Sequence, residues 1–295
     1  MTALETFREV LTIRRFEELV LDRFSTGVFA GTTHTCIGQE ANAVGVLRHR
    51  GDADVVVSNH RCHGHFLAYG GEPRALFAEL MGRATGVSGG RGGSQHLHWR
   101  SFYSSGVLGG TVPLATGMAL AEKRKGTGAV AVVFLGDGAL GEGIVYEAIN
   151  MASLWSAPVL FTIEHNHVAQ STPSHLQLAG SVPARFEAFG IETVAIDTSD
   201  AEEISAVAGP LLDAVRTTGT PRALVIETRR FGPHSKGDDP RTTEELAALR
   251  VGRDPVEIAG ARLTADERDA VTAEVAAAVE AAFDEALGDP KPAFD

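Results

Sequence analysis

Asp137 and Asn166 stand 29 residues apart, and each closes an apolar run. The first run, Ala129 to Leu135, ends in Gly136-Asp137-Gly138. The second, Pro158 to Ile163, ends just before Asn166, with a helical stretch between the two. Two buried strands joined by a helix bring their carboxyl ends together, so the two side chains are expected at one sheet edge. A carboxylate and an amide oxygen are hard ligands, suited to magnesium or calcium and poor for zinc or copper. The glycines let a phosphate approach the backbone where helix amides and dipole favour negative charge. The pattern reads as a clamp for a divalent cation and a diphosphate.

Elements able to position these groups follow from periodicity. Ala3 to Phe24 carries Phe7, Val10, Leu11, Phe16, Leu19, Val20 and Phe24 at helical spacing, with Gly27 as a stop. Further helices are predicted over Gln39–Leu47, Pro73–Met81, Thr111–Glu122 and Ala201–Thr217. Additional strands fall at Asp54–Ser58, Glu192–Ile196 and Arg222–Thr228. Strands alternating with helices imply an α/β fold, a mostly parallel sheet covered on both faces, with ligands bound beyond the carboxyl ends of the strands. The glycine-rich stretch Gly82–Gly93 is too polar for a core and is expected to cover a site. Thr264-x-x-Glu267 opens a last helix through Leu287, with a stripe of Val271, Val275, Val279, Ala282 and Ala286 facing the sheet. No linker divides residues 1–295, which read as one domain with a helical segment over about 1–50 and the closing helix over about 264–287.

Bulk properties narrow the partners. A formal net charge of -12 argues against nucleic acid or an anionic membrane, so an anionic ligand needs local cations. Cys36 and Cys62 do not form a metal-ligand spacing and read as reduced cytosolic thiols. The first twenty residues mix charge throughout, so no secretory leader is expected, and a cytoplasmic location follows.

Glu147-Ala148-x-Asn150-Met151-Ala152-x-x-Trp155 and Ala157-Pro158, together with the GDG and Asn spacing, resemble the alpha subunit of 2-oxo acid dehydrogenase first components. Pyruvate, branched-chain and acetoin enzymes belong to that group, and Ile37-Gly38-Gln39-Glu40-Ala41 is another shared segment. The resemblance implies the thiamine diphosphate-binding fold, with thiamine diphosphate and magnesium as cofactors. It implies that Asp137 and Asn166 ligate the metal by side chains and Val168 by its carbonyl, with Gly136 and Gly138 flanking. Arg61, preceded by His60, and Arg230 would contact the diphosphate, where guanidinium forks suit phosphate oxygens. His234 and His63 would be catalytic. Gly106 would meet the aminopyrimidine ring, and Leu108 would wedge the two cofactor rings into a V.

The carboxylate that activates the cofactor comes, in that family, from a beta subunit with a pyrimidine-binding domain. This chain shows one GDG unit, so an α2β2 assembly is implied, with a lipoyl or acyl-carrier domain as acceptor. Departures are concentrated in histidine: His60 replaces the usual tyrosine, His165 the usual first asparagine of a pair, and His65, His98 and His167 add to them. Besides acyl transfer from a 2-oxo acid, the excess admits a transketolase-like reading, in which a two-carbon ketol unit passes from a ketose phosphate to a carrier protein or aldehyde. A purely structural module is disfavoured because Asp137, Asn166, Arg61, Arg230 and His234 are present together. The chain purified alone is expected to bind thiamine diphosphate weakly and turn nothing over. Calorimetry and an activity assay check this, and full activity without a partner would contradict it.

Overall fold

Each strand that leads into the motif alternates its side chains between two cores. In the run Ala131–Gly136, Val132 and Phe134 enter one cluster, while Ala131, Val133 and Leu135 enter the other. Burial on both faces is why these strands read as continuous apolar runs. The computed structural model describes residues 2–235, 239 and 241–293.

The strands are β1 (Val55–Ser58), β2 (His98–Trp99), β3 (Phe102–Ser104), β4 (Ala131–Gly136) and β5 (Val159–His165). A short hairpin, β6 (Val168–Ala169) and β7 (Thr172–Pro173), stands apart, and β8 (Glu192–Asp197) and β9 (Arg222–Glu227) complete the set. Sheet order is β2-β3-β1-β4-β5-β9-β8, parallel throughout apart from the β2–β3 edge pair.

One face is covered by α1 (Ala3–Phe24), α2 (Glu40–Leu47), α3 (His63–Ala68) and α4 (Pro73–Leu80). The other face carries α5 (Thr111–Lys125), α6 (Gly143–Leu154) and α7 (Val182–Glu187). Returning to the first face, α8 (Ala201–Thr218) packs beside α2. The chain closes with α9 (Thr243–Arg250), α10 (Pro255–Gly260) and α11 (Ala265–Leu287). The predicted α/β fold with a mostly parallel sheet is the observed one.

Two expectations are corrected. The last helix has its capping box, Thr264 with Glu267, but it packs mainly on α1 and α4 rather than on the sheet. Its buried stripe runs Val271, Val275, Val279, Phe283, Ala286. Phe283 takes the place expected of Ala282 because its ring meets Phe77 and Phe29 edge-on, at 5.5 and 6.1 Å. Nor does the glycine-rich stretch cover the site. It wraps the fully buried carboxylate of Glu79, at the end of α4, which accepts backbone N–H bonds from Ser88, Gly90, Gly92 and Gly93 at 2.7–3.1 Å.

Four converging amides compensate a carboxylate that could not otherwise be buried. Glycine is required here in part by space. A Cβ on Gly92 would lie 2.0 Å from the His96 carbonyl oxygen, and Gly90 has φ of +73°. Glu79→Gln keeps the shape but replaces an acceptor oxygen by a donor facing those amides. A loss of ~3 kcal/mol in urea unfolding is expected; a change under 0.5 kcal/mol would show that the amides find water instead.

Candidate active site

Four parallel strands end at one cavity of about 360 Å³. Pairing of β4 with β5 sets Gly136 opposite Glu164, so Asp137 leaves its strand beside His165 and one residue from Asn166. Both Asp137 and Asn166 line the cavity. Their intervening segment is not one helix: a 3-10 turn, Asp137–Gly141, precedes α6. Asp137 is 1 % exposed, accepts a 2.5 Å bond from the Ser174 hydroxyl, and lies 3.6 Å from His165 Nε2. The Asn166 side-chain oxygen accepts from the Val168 amide at 3.1 Å, which brings Val168 back to the cavity wall.

The glycines have separate reasons. At Gly136 an added Cβ would meet no heavy atom within 4 Å, so the space beside it is open. At Gly138 it would lie 2.8 Å from Ala169 Cβ, so that glycine admits the β6–β7 hairpin.

Two arginines reach the cavity from the ends of β1 and β9. Arg61 is buried, its backbone amide bonded to the Asn59 side chain at 2.7 Å and its guanidinium donating to the Thr35 and His234 carbonyls. Arg230 is 3 % exposed and donates to the carbonyls of Gly232 and Gln170 at 3.2 and 3.1 Å. These carbonyl partners orient both guanidinium forks at the cavity. Gly38 permits the β9 segment to close over α2. It has φ of +97°, and a Cβ there would lie 2.4 Å from the Arg229 carbonyl oxygen.

His60, Leu108 and His234 also line the cavity. Leu108 is braced on the second core cluster. His234 packs edge-on to His34 at 4.8 Å and tilted to His60 at 5.2 Å. Burial first, then the Arg61 guanidinium, pushes the His60 imidazole down to about 2, so it is neutral at every physiological pH.

Two expected residues are not brought to the cavity. His63 has no exposed surface, and its two ring nitrogens are taken by Glu17 and Ser94 at 2.9 Å each. Its place therefore supports a role in holding Ser94 and the adjacent loop, and gives no support to direct catalysis. Gly106 lies beside Gln95, whose side-chain oxygen would be 2.1 Å from an added Cβ. Of the remaining histidines, His98 stacks on Tyr103 at the sheet edge, and His65 sits beneath the cavity between Ser58 and Glu164. His165 and His167 clasp Glu227 at 2.8 and 2.5 Å. Burial pushes the Glu227 carboxyl up, but these two imidazoles outweigh it and hold it down at about 2.

Sequence reasoning missed several wall residues. Gln39, Asn59, Glu164, Gln170 and Gln177 all line the cavity. Glu164 offered a signal, being two residues before Asn166 at the end of an apolar strand. It is buried, and bonds from Asn42 at 2.9 Å and contact with His65 at 3.5 Å keep it charged against the cost of burial.

The family described as Dehydrogenase E1 component matches residues 8–295. The chain belongs to that family. The alpha subunit of acetoin:2,6-dichlorophenolindophenol oxidoreductase from Cupriavidus necator is 37% identical over 303 residues, covering 99% of this chain and 91% of that protein. The pyruvate dehydrogenase E1 component alpha subunit of Zymomonas mobilis is 39% identical over 263 residues, 86% of this chain and 74% of that protein. Its counterpart in Rhizobium meliloti is 36% identical over 301 residues, 98% and 86% respectively. Among the described residues, no helix of this E1 family member is long and apolar enough to cross a membrane. Cys36 and Cys62 are buried and unpaired with each other.

The neutral His60 has a measurable consequence. Below about pH 6.5 the unfolded chain takes up a proton on this residue that the native state refuses until about pH 2. The stability it contributes is therefore present above pH 6.5 and is lost as pH falls. Between pH 6 and 5, wild type is expected to lose about 1 kcal/mol more than His60→Phe. Urea melts at the two pH values check this; parallel slopes would show that His60 is protonated in the fold.

Proposed function

We propose that this chain is the alpha subunit of a thiamine diphosphate- and magnesium-dependent 2-oxo acid dehydrogenase, with residues 1–295 as its diphosphate-binding domain. The observation that carries the reading is the convergence of Arg61, Asp137, Asn166, Val168, Arg230 and His234 on one cavity from four strand ends. Hard oxygen donors and two oriented guanidinium groups suit a divalent cation bound to a diphosphate. The open space at Gly136 and the carbonyl-tethered arginines fit such an anion without rebuilding the site.

Asp137, the Asn166 amide oxygen and the Val168 carbonyl would hold magnesium. Arg61 and Arg230 would hold the diphosphate, and Leu108 would brace the coenzyme rings. Thiamine diphosphate would supply a ring carbon acidic enough to attack a 2-oxo acid carbonyl. His234, on the cavity wall beside His34 and His60, would hydrogen-bond the donor. Glu164, also on the wall, is buried and held charged by Asn42 and His65.

The relatives from Zymomonas mobilis and Rhizobium meliloti are E1 alpha subunits, and a beta subunit with a pyrimidine-binding domain is the partner proposed here, in an α2β2 assembly. The acyl group would pass to a lipoyl thiol on a carrier domain. No catalytic carboxylate for the pyrimidine ring is needed from this chain under that assembly. In the complex, Asp137→Asn is expected to weaken magnesium-dependent thiamine diphosphate binding more than 100-fold, since it removes the one formal charge among the metal ligands. Calorimetry with and without EDTA measures this. Binding unchanged by either treatment would remove magnesium from the reading.

A further inference from the structure

Asn166 is flanked in the chain by His165 and His167, and both imidazoles meet one carboxylate. Parallel pairing of β5 with β9 sets His165 opposite Glu227, and His165 Nδ1 lies 2.8 Å from Glu227 Oε1. His167 reaches the same carboxylate through a left-handed backbone, with φ of +65°, and its Nε2 lies 2.5 Å from Glu227 Oε2. That conformation is unfavourable for a residue with a Cβ, so its surroundings must hold it there. The Ser174 amide donates to the His167 carbonyl at 2.9 Å, and the Thr228 amide to that of His165 at 3.0 Å, which pins the backbone at both rings. One ligand atom from each of the three side chains lies within 4.8 Å of the others. We propose that His165, His167 and Glu227 form a second metal site, for a transition-metal dication of the zinc class. It shares no ligand with the magnesium site proposed above and does not depend on that reading.

Donor chemistry separates the two sites. Two imidazole nitrogens and one carboxylate suit zinc or cobalt, whereas the oxygens of Asp137 and Asn166 suit magnesium. Three protein ligands leave the fourth tetrahedral position to water. Bonds of 2.0–2.1 Å place tetrahedral donor atoms about 3.4 Å apart. Both nitrogen–oxygen distances are already shorter than this, so an ion needs the carboxylate to withdraw by less than about 1 Å. The two rings stand side by side, 4.0 Å between centroids and tilted by 40°.

Access and charge agree with the ligand set. The side chains of His167, Glu227 and His165 are 51 %, 27 % and 14 % exposed, so an ion arrives from solvent without crossing the core. Arg229 acts on His165 and opposes a cation there. Two carboxylates outnumber it: Glu227, and Asp137 at 3.6 Å from His165 Nε2. Without an ion, the same three side chains form the hydrogen-bonded clasp, which keeps the ligands gathered. A dication exchanges those two hydrogen bonds for three coordinate bonds.

The test uses the full chain, with cobalt(II) as the spectroscopic stand-in for zinc and excess magnesium to fill the oxygen site. Wild type is expected to bind one cobalt per chain with the intense visible bands of a tetrahedral site. Losing even an outer partner of a metal ligand weakens binding 10–100-fold, so His167→Ala is expected to weaken cobalt binding at least about 100-fold. His167 is half exposed, so this substitution leaves the core intact. Glu227→Gln is expected to act in the same direction. A second arm locates the ion: zinc is expected to slow amide hydrogen exchange over residues 165–168 and 226–228 in wild type and not in His167→Ala. Absence of stoichiometric cobalt binding overturns the proposal. So does binding that survives His167→Ala, which places the ion on other histidines, and so do weak octahedral bands that fade as magnesium rises, which place it on Asp137 and Asn166.

Discussion

The parallel pairing of β4 with β5 is the constraint from which the site follows. With Gly136 opposite Glu164, the first residues beyond the two strands are Asp137 and His165, and Asn166 comes next. A slip of one residue would reverse the facing of every side chain along β5, sending Phe161 and Ile163 to the opposite core and putting Thr162 and Glu164 in their place. Phe161 and Ile163 have no exposed surface, so the core fixes the register and the register fixes the ligand pair. The chemistry is thus purchased by hydrophobic burial some distance from it. Cavity geometry will be as stable as the sheet itself, whatever occupies it.

The second requirement is to place positive charge in a protein of net charge -12. Arg61 and Arg230 are both almost fully buried, and backbone carbonyls hold each guanidinium in place. Carbonyl partners satisfy some of the donors and fix the direction of each fork. The acidic groups close to the site are spoken for elsewhere: Glu164 faces Asn42 and His65, and Glu227 is clasped by His165 and His167.

How much of this could be read from residues alone depends on the range of the interactions involved. Continuous apolar strands and capped helices are local, and β4, β5, β9, α1 and α8 appear within a residue or three of their expected ends. The motif residues were legible because their types carry the chemistry. What was not legible depends on three-dimensional neighbours. The glycine-rich stretch looks like a lid by composition, yet Glu79, an unremarkable helical glutamate in the sequence, gathers its amides and folds it away. His63 looks catalytic by context, but Glu17, 46 residues earlier, and Ser94 occupy both its nitrogens. Phe283 displaces Ala282 from the buried stripe because the phenylalanine cluster at Phe29 and Phe77 has room for a ring.

The histidines carry the same lesson further, since one residue type serves four ends in one small region. His65 is a buried strut, His63 a loop anchor, His165 and His167 a clasp on a carboxylate. In each of these the ring has a protein partner that accounts for it. His60 differs, because both its nitrogens are enclosed and neither has a hydrogen-bond partner among the described residues. Burial and the neighbouring guanidinium keep that ring neutral, so relief by protonation and an ion pair is closed to it. An enclosed polar group of this kind costs stability unless something with a matching donor and acceptor arrives. The fold thus holds a neutral imidazole at its cavity wall with both nitrogens turned into the protein, and the packing around it bears that cost.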